Sequence, residues 1–157
     1  MTHHGERDVA EPLAGRLTDF GHRLAARVYY ADTDFSGVVY HARYLEFLER
    51  GRSDFLRLQG VRHSELASGL DGERVAWVVR RMEILFRQPA RMDDILTIDT
   101  ATERLSGARI FMNQRIHRDG TTLVEAKVEV VTIGADGRPR RFPQSWIDAF
   151  APAGAGK

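Results

Sequence analysis

The chain has 157 residues, 43% of them hydrophobic and 29% charged, and carries a formal net charge of +1. That length suits one domain with a real core, and so small a charge excludes a global field that would draw in nucleic acid. Without cysteine there are no disulfides, thiol nucleophiles or Cys-ligated zinc, and no apolar run approaches the roughly twenty residues needed to span a bilayer. A cytoplasmic protein that does not cross the membrane is the expectation. The basic residues are nearly all Arg, with Lys only at Lys127 and Lys157. Arg favours bidentate contacts to phosphate or carboxylate, which leaves room for a local phosphate site.

Residues 1–22 carry scattered charge without periodicity and read as a flexible N-terminal tail. Residues 23–150 read as one domain, and 151–157 as a second flexible tail rich in Ala, Gly and Pro. The first strand is expected at Leu24–Ala31, and Asp32 to Gly37 is turn-like. A helix follows from His41 or Ala42 to Leu58, with Tyr44, Leu45, Leu48, Phe55 and Leu56 forming an apolar stripe. Gly51 interrupts it at a propensity cost of about 1 kcal/mol relative to Ala, a cost that close approach to another backbone would explain. Gln59-Gly60 supplies the stop.

From Val75 the period becomes alternating. Strands are expected at Val75–Arg87, Ile95–Thr102, Ala108–Arg118 and Thr122–Ile133. In the first of them Ala76, Val78, Met82, Ile84 and Phe86 fall on one side. Pro89, Asp93-Asp94, Ser106-Gly107, Asp119-Gly120 and Asp136-Gly137 punctuate them. Pro143–Phe150 reads as a short terminal helix. Strand, long helix and four meandering antiparallel strands make an α+β domain, one curved antiparallel sheet wrapped around one long central helix. Such a sheet leaves edge strands, which pairing with a second subunit commonly hides.

The richest stretch is Tyr29–His41, Y-Y-A-D-T-D-F-S-G-V-V-Y-H. Asp34 is a carboxylate followed by a glycine turn and a helix start. An acid or base beside outward-pointing backbone N–H groups is what acyl transfer requires. Asp34 is equally readable as a turn or capping residue. Asp32 fits a hydrogen bond to turn amides, and an Asp-x-Asp pair with His41 could also bind a metal. Gly37 supplies a backbone shape or a close approach that a side chain would block. Glu46 and Glu49 are alternative carboxylates. His3, His4, His22, His63 and His117 are too dispersed for zinc, and Ser36 and Ser106 lack a nucleophile-elbow context.

The stretch from Arg27 to His41, with F-L-E-R-G-R from Phe47, R-V-A-W-V-V-R-R-M from Arg74 and P-A-R-M-D-D from Pro89, resembles the hotdog-fold acyl-CoA thioesterases. It is most similar to the 4-hydroxybenzoyl-CoA thioesterase family, and within it to the branch associated with the bacterial Tol-Pal system. The resemblance covers roughly Leu24 to Phe150. It implies a hotdog fold and hydrolysis of the thioester of an acyl-CoA to free acid and CoA. Asp34 matches the family's catalytic carboxylate, as nucleophile or general base. His41 sits where the family's helix begins and its backbone N–H polarises the thioester carbonyl. Gly37, Val39 and Tyr40 would border the substrate.

Arg140 belongs to the Arg-Pro-Arg where the resemblance ends and is a candidate for the CoA phosphates, as are Arg104, Arg109, Arg138 and Arg141. The turn before the third strand departs from a basic run seen in a better-known member. No metal and no cofactor are expected, coenzyme A being part of the substrate. The resemblance also implies a homotetramer built from dimers, with acyl-carrier protein as a further candidate partner and no nucleic acid. The rival reading is a non-catalytic module that binds acyl-CoA or acyl-carrier protein. A hydratase or dehydratase would need an acid–base pair that the sequence does not offer.

Overall fold

The computed structural model describes residues 13–61 and 74–153. Six strands form one antiparallel sheet: β1 (Arg16–Leu17), β2 (His22–Arg27), β3 (Val75–Phe86), β4 (Ile95–Ser106), β5 (Arg109–Arg118) and β6 (Thr121–Gly134). Their spatial order is β1-β2-β4-β5-β6-β3. The long helix α1 (Arg43–Leu58) lies on one face, and a short helix α2 (Gln144–Ala149) follows the last strand. This is the expected α+β hotdog arrangement.

Several details differ from the expectation. The segment taken for tail contributes β1, which pairs Arg16 with Arg23 and Leu17 with His22. Residues 1–12 and 154–157 lie outside the described residues. The strand expected to reach Ala31 stops at Arg27, and a 3-10 turn occupies Tyr30–Asp32. Asp32 causes the stop. Its carboxylate accepts the Tyr29 N–H at 2.9 Å, and its own N–H donates to the Tyr29 carbonyl at 2.9 Å. Such local side-chain bonds offer the backbone an alternative to the sheet ladder.

The four strands are not a simple meander either. β4, β5 and β6 are consecutive hairpins, but β3 crosses to the far side and pairs with β6. Asp119 and Gly120, at φ 50° and 82°, make the expected tight turn between β5 and β6. A register shift between Val79 and Arg81 puts a bulge in β3. The extra residue reverses the alternation, so Val75 and Trp77 turn inward before it and Met82 and Ile84 after it. Uniform alternation had placed Ala76 and Val78 inside, yet both are exposed.

The core lies between α1 and the sheet. Tyr44, Phe47, Leu48, Phe55 and Leu56 face Leu96, Ile98, Ile110, Met112, Ile116, Val124 and Val128. Leu45, assigned to the apolar stripe, points outward, and Phe47 takes the inward place. Phe142, Trp146 and Phe150 stack on Trp77, and Phe150 also packs edge-on against Phe55. The final helix thereby closes one end of the core.

Gly51 sets the helix depth. A Cβ built there would stand 2.8 Å from Ile98 Cγ2 and 2.9 Å from Thr100 Oγ1, closer than real contacts allow. Directly beneath, Gln114 donates to the Leu48 carbonyl and to Thr100 Oγ1, both at 2.9 Å, and accepts from Arg52 at 2.9 Å. The glycine is a close-approach residue, but it meets side chains of β4 and β5 rather than the other backbone expected. Gly51→Val should cost about 1–3 kcal/mol, the usual price of overpacking a well-filled core. Urea denaturation measures it, and an unchanged midpoint would contradict the close approach.

Candidate active site

The Asp32–Tyr40 segment folds back on itself. Tyr40 N–H donates to the Asp32 carbonyl at 2.9 Å, Asp34 N–H to Val38 O at 3.0 Å, and Gly37 N–H to Asp34 O at 3.1 Å. Gly37 has φ 84°, and a Cβ there would meet nothing within 4 Å. Of the two roles considered for it, the structure supports backbone shape. Val39 is buried in the core, with its N–H on the Ala90 carbonyl at 2.8 Å. Within one chain it anchors the loop from beneath rather than lining an open surface. Tyr40 is half exposed, and its ring packs against His41 at 4.6 Å between centroids.

The Asp34 carboxylate lies in the tip of this hairpin. Its Oδ1 accepts the Ser36 N–H at 2.8 Å and the Ser36 hydroxyl as well. Those two bonds, the hydroxyl first, hold the Asp34 carboxyl below its ordinary range, so it is ionised at neutral pH. The Val38 and Asp34 backbone N–H groups act on the carboxyl in the same direction, but neither makes a hydrogen bond to Oδ2 among the described residues. The turn role of Asp34 is thus observed directly, and it leaves one oxygen free for chemistry.

The chain then enters α1. Arg43 N–H donates to Tyr40 O at 2.8 Å, whereas the His41 N–H has no acceptor among the described residues. The helix begins at Arg43 with Ala42 as its cap, later than the His41 or Ala42 start expected, so the free His41 N–H lies just before the positive end of α1, where an oxygen gaining negative charge is favoured. The His41 ring leans toward Tyr40 and, at 6.4 Å, toward the edge of Phe86 at the end of β3. The hairpin bond from Tyr40 to Asp32 therefore joins the Asp34 turn directly to this helix start.

A third segment fixes the pair. Ala90 is fully buried, and its N–H donates to the Tyr44 hydroxyl at 2.9 Å while its carbonyl holds Val39. Val38 bridges to Arg91 beside it. Asp32 meets its expected turn amide at Tyr29. Of the alternative carboxylates, Glu46 pairs with Arg43 at 2.7 Å and Glu49 accepts from Ser53 at 2.6 Å, both on α1.

The predicted arginines are elsewhere. Arg140 reaches Asp136 at 3.2 Å and lies over Gly134, which pairs with Val75 at the start of β3. Phe86, beside His41, is at the other end of that strand, a separation of roughly 36 Å at ~3.3 Å per residue. Arg109 bonds Glu129 at 3.1 Å and Arg104 stacks over Phe111 at 3.6 Å, also toward the Arg140 end. Within one chain Arg140 is not brought to Asp34. A cleft of about 910 Å³ on the sheet face opposite α1 is lined by Glu83, Asp99, Arg115, Glu125 and Lys127. Asp99 there pairs with Arg23 and bonds His117, and Glu125 pairs with Arg87.

Comparison with known proteins matches residues 28–150 to the thioesterase-like superfamily. The chain belongs to this family. An Escherichia coli protein named acyl-CoA thioester hydrolase YbgC is 42% identical over 130 residues, covering 82% of this chain and 94% of its own. A Haemophilus influenzae acyl-CoA thioesterase YbgC is 37% identical over 135 residues, covering 85% and 97%. The crystal structure of a probable thioesterase from Bartonella henselae superposes with a TM-score of 0.76 at 59% identity, covering 78% of this chain and 98% of that one. As a thioesterase-family chain it needs an acid or base and an oxyanion donor, and the Asp32–Tyr40 hairpin places candidates for both.

Ser36 and Tyr44 are the two contributors that sequence reasoning missed. Asp-x-Ser in a glycine turn is a legible signal for the first, since such a serine can bond back to the aspartate. Nothing local signals the second, because its partner Ala90 is far along the chain. Tyr44→Phe should strand the buried Ala90 N–H at a cost of about 1–3 kcal/mol. Hydrogen exchange at Ala90 would quicken, and unchanged protection there would refute the link.

Proposed function

We propose that the chain is an acyl-CoA thioester hydrolase in which Asp34 is nucleophile or general base and the His41 backbone N–H is the oxyanion donor. One observation carries the reading: a carboxylate with a free oxygen and a helix-start N–H without an acceptor stand at the two ends of a single hydrogen-bonded hairpin. The names of the well-covered bacterial relatives support the substrate class. A thioester suits this economy, since a thiolate leaves readily without a strong general acid.

Asp34→Asn should lower thiol release from a panel of acyl-CoAs by at least about a hundredfold while the circular dichroism spectrum is kept. Wild-type turnover in that variant would sink the mechanism. The same panel separates hydrolysis from passive binding, which releases no thiol. Because the ionised carboxylate does the work and Ser36 holds its pKa low, kcat/KM should stay flat through neutral pH. Activity should be lost only as pH falls below the ordinary carboxylate range, and a loss already near neutrality would contradict the assignment.

The proposal extends to assembly. Among the described residues β3 leaves one edge unpaired, with Val78, Val79, Leu85 and Phe86 exposed along it. Antiparallel pairing of two such edges would set the Gly134–Arg140 end of one chain beside the Asp34–His41 end of the other. That arrangement gives Arg140 a route to the CoA phosphates and gives Tyr40 a substrate to border. The tetramer, the acyl-carrier protein as alternative donor and a Tol-Pal setting rest on the family resemblance, and cytoplasmic residence rests on the composition of the sequence. Among the described residues no helix is long and apolar enough to cross a membrane. Light scattering should show an oligomer at micromolar concentration, and a stable monomer would refute the edge pairing.

A further inference from the structure

We infer that Ser36 is the positioning residue of the site: it clamps one oxygen of Asp34 so that the other, Oδ2, is held in one direction as the working oxygen. This rests on the assignment of Asp34 above. The hairpin already fixes the Asp34 backbone, since its N–H is bound by Val38 O and its carbonyl by Gly37 N–H. What remains soft is the side chain. The carboxylate torsion of an aspartate is broad, so an unheld group in an exposed turn points its oxygens over a wide range of directions.

Ser36 removes that freedom. Its N–H, at 2.8 Å, and its hydroxyl both donate to Oδ1, and no partner within the described residues takes Oδ2. An aspartate turn ordinarily supplies the backbone bond alone. The hydroxyl doubles it on the same oxygen, so a flip must break two charge-assisted bonds together rather than one. Ser36 is itself exposed and contributes nothing to the core, so its hydroxyl has no evident packing role.

The chemistry follows for either route. As a general base, Oδ2 takes one proton from the water whose oxygen bonds to the acyl carbon. As a nucleophile, Oδ2 bonds to that carbon itself, and water later cleaves the anhydride and restores the carboxylate. In both, the C–S bond breaks and sulfur leaves with the electron pair as the CoA thiolate. Ser36 stays bonded to Oδ1 throughout, as carboxylate oxygen or as anhydride carbonyl oxygen. It neither gives up a proton nor attacks.

The test uses the full chain and the acyl-CoA that it turns over fastest, comparing Ser36→Ala, Ser36→Thr and Asp34→Asn. In Ser36→Ala, kcat should fall on the order of tenfold, as expected for a misplaced reacting group. KM should stay within about twofold, because binding is not what the clamp supplies. The acid limb of kcat/KM should move to higher pH, since a hydroxyl bonded to the charged form is gone. Ser36→Thr, which keeps the hydroxyl, should restore both kcat and the limb.

An Ala variant with unchanged kcat and limb, or one that loses rate without moving the limb, would overturn the clamp while leaving Asp34 in place. An active Asp34→Asn would instead overturn the assignment of Asp34 itself. The two failures are therefore distinguishable.

Discussion

The backbone of Ala90 holds the site together. It is one fully buried residue with one donor and one acceptor, and both are committed: the N–H to the Tyr44 hydroxyl on α1, the carbonyl to Val39 at the end of the Asp34 hairpin. A buried peptide group must find partners, and few arrangements satisfy both of its ends at once. By meeting that demand the β3–β4 connection ties the hairpin to the helix. Any drift of the base of the hairpin relative to the helix start would have to break a bond shielded from water.

The rest of the fold serves this junction. Gly51 and Gln114 seat α1 at a fixed depth on β4 and β5, which fixes how far its first turn projects. The crossover that sends β3 to the far side of β6 also carries the chain back past the helix start, where Pro89 and Ala90 lie. A plain hairpin between β3 and β4 would leave the hairpin and helix start without that brace. Topology and chemistry are connected through that one passage.

Much of this was legible in the residues. The turn glycines, the helix stripe and the period change after Val75 define the elements, and the Tyr29–His41 motif points to Asp34 and His41. Three things were hidden: one by an extra residue, one by a local bond that competes with strand pairing, and one by partners distant in sequence. The β3 bulge breaks an alternation that looks uniform, so the inward set changes from Val75 and Trp77 to Met82 and Ile84. The early end of β2 comes from the Asp32 carboxylate competing for a backbone amide, a bond that composition cannot weigh against strand pairing. The place of β3 at the sheet margin requires knowing that Arg87–Asp94 crosses rather than turns. Arg140 illustrates the limit for sites: a motif names it, but distance from Asp34 is a property of the folded chain.

The two margins of the sheet are very unequal. One ends in β1, two residues long, and the other in the twelve-residue β3. Among the described residues the β1 margin is short, whereas two β3 margins match in length. In the edge pairing proposed above, each chain would commit its β3 margin to the other and keep none for a third copy. Such a contact would guard a protein with an exposed adhesive strand against open-ended fibres.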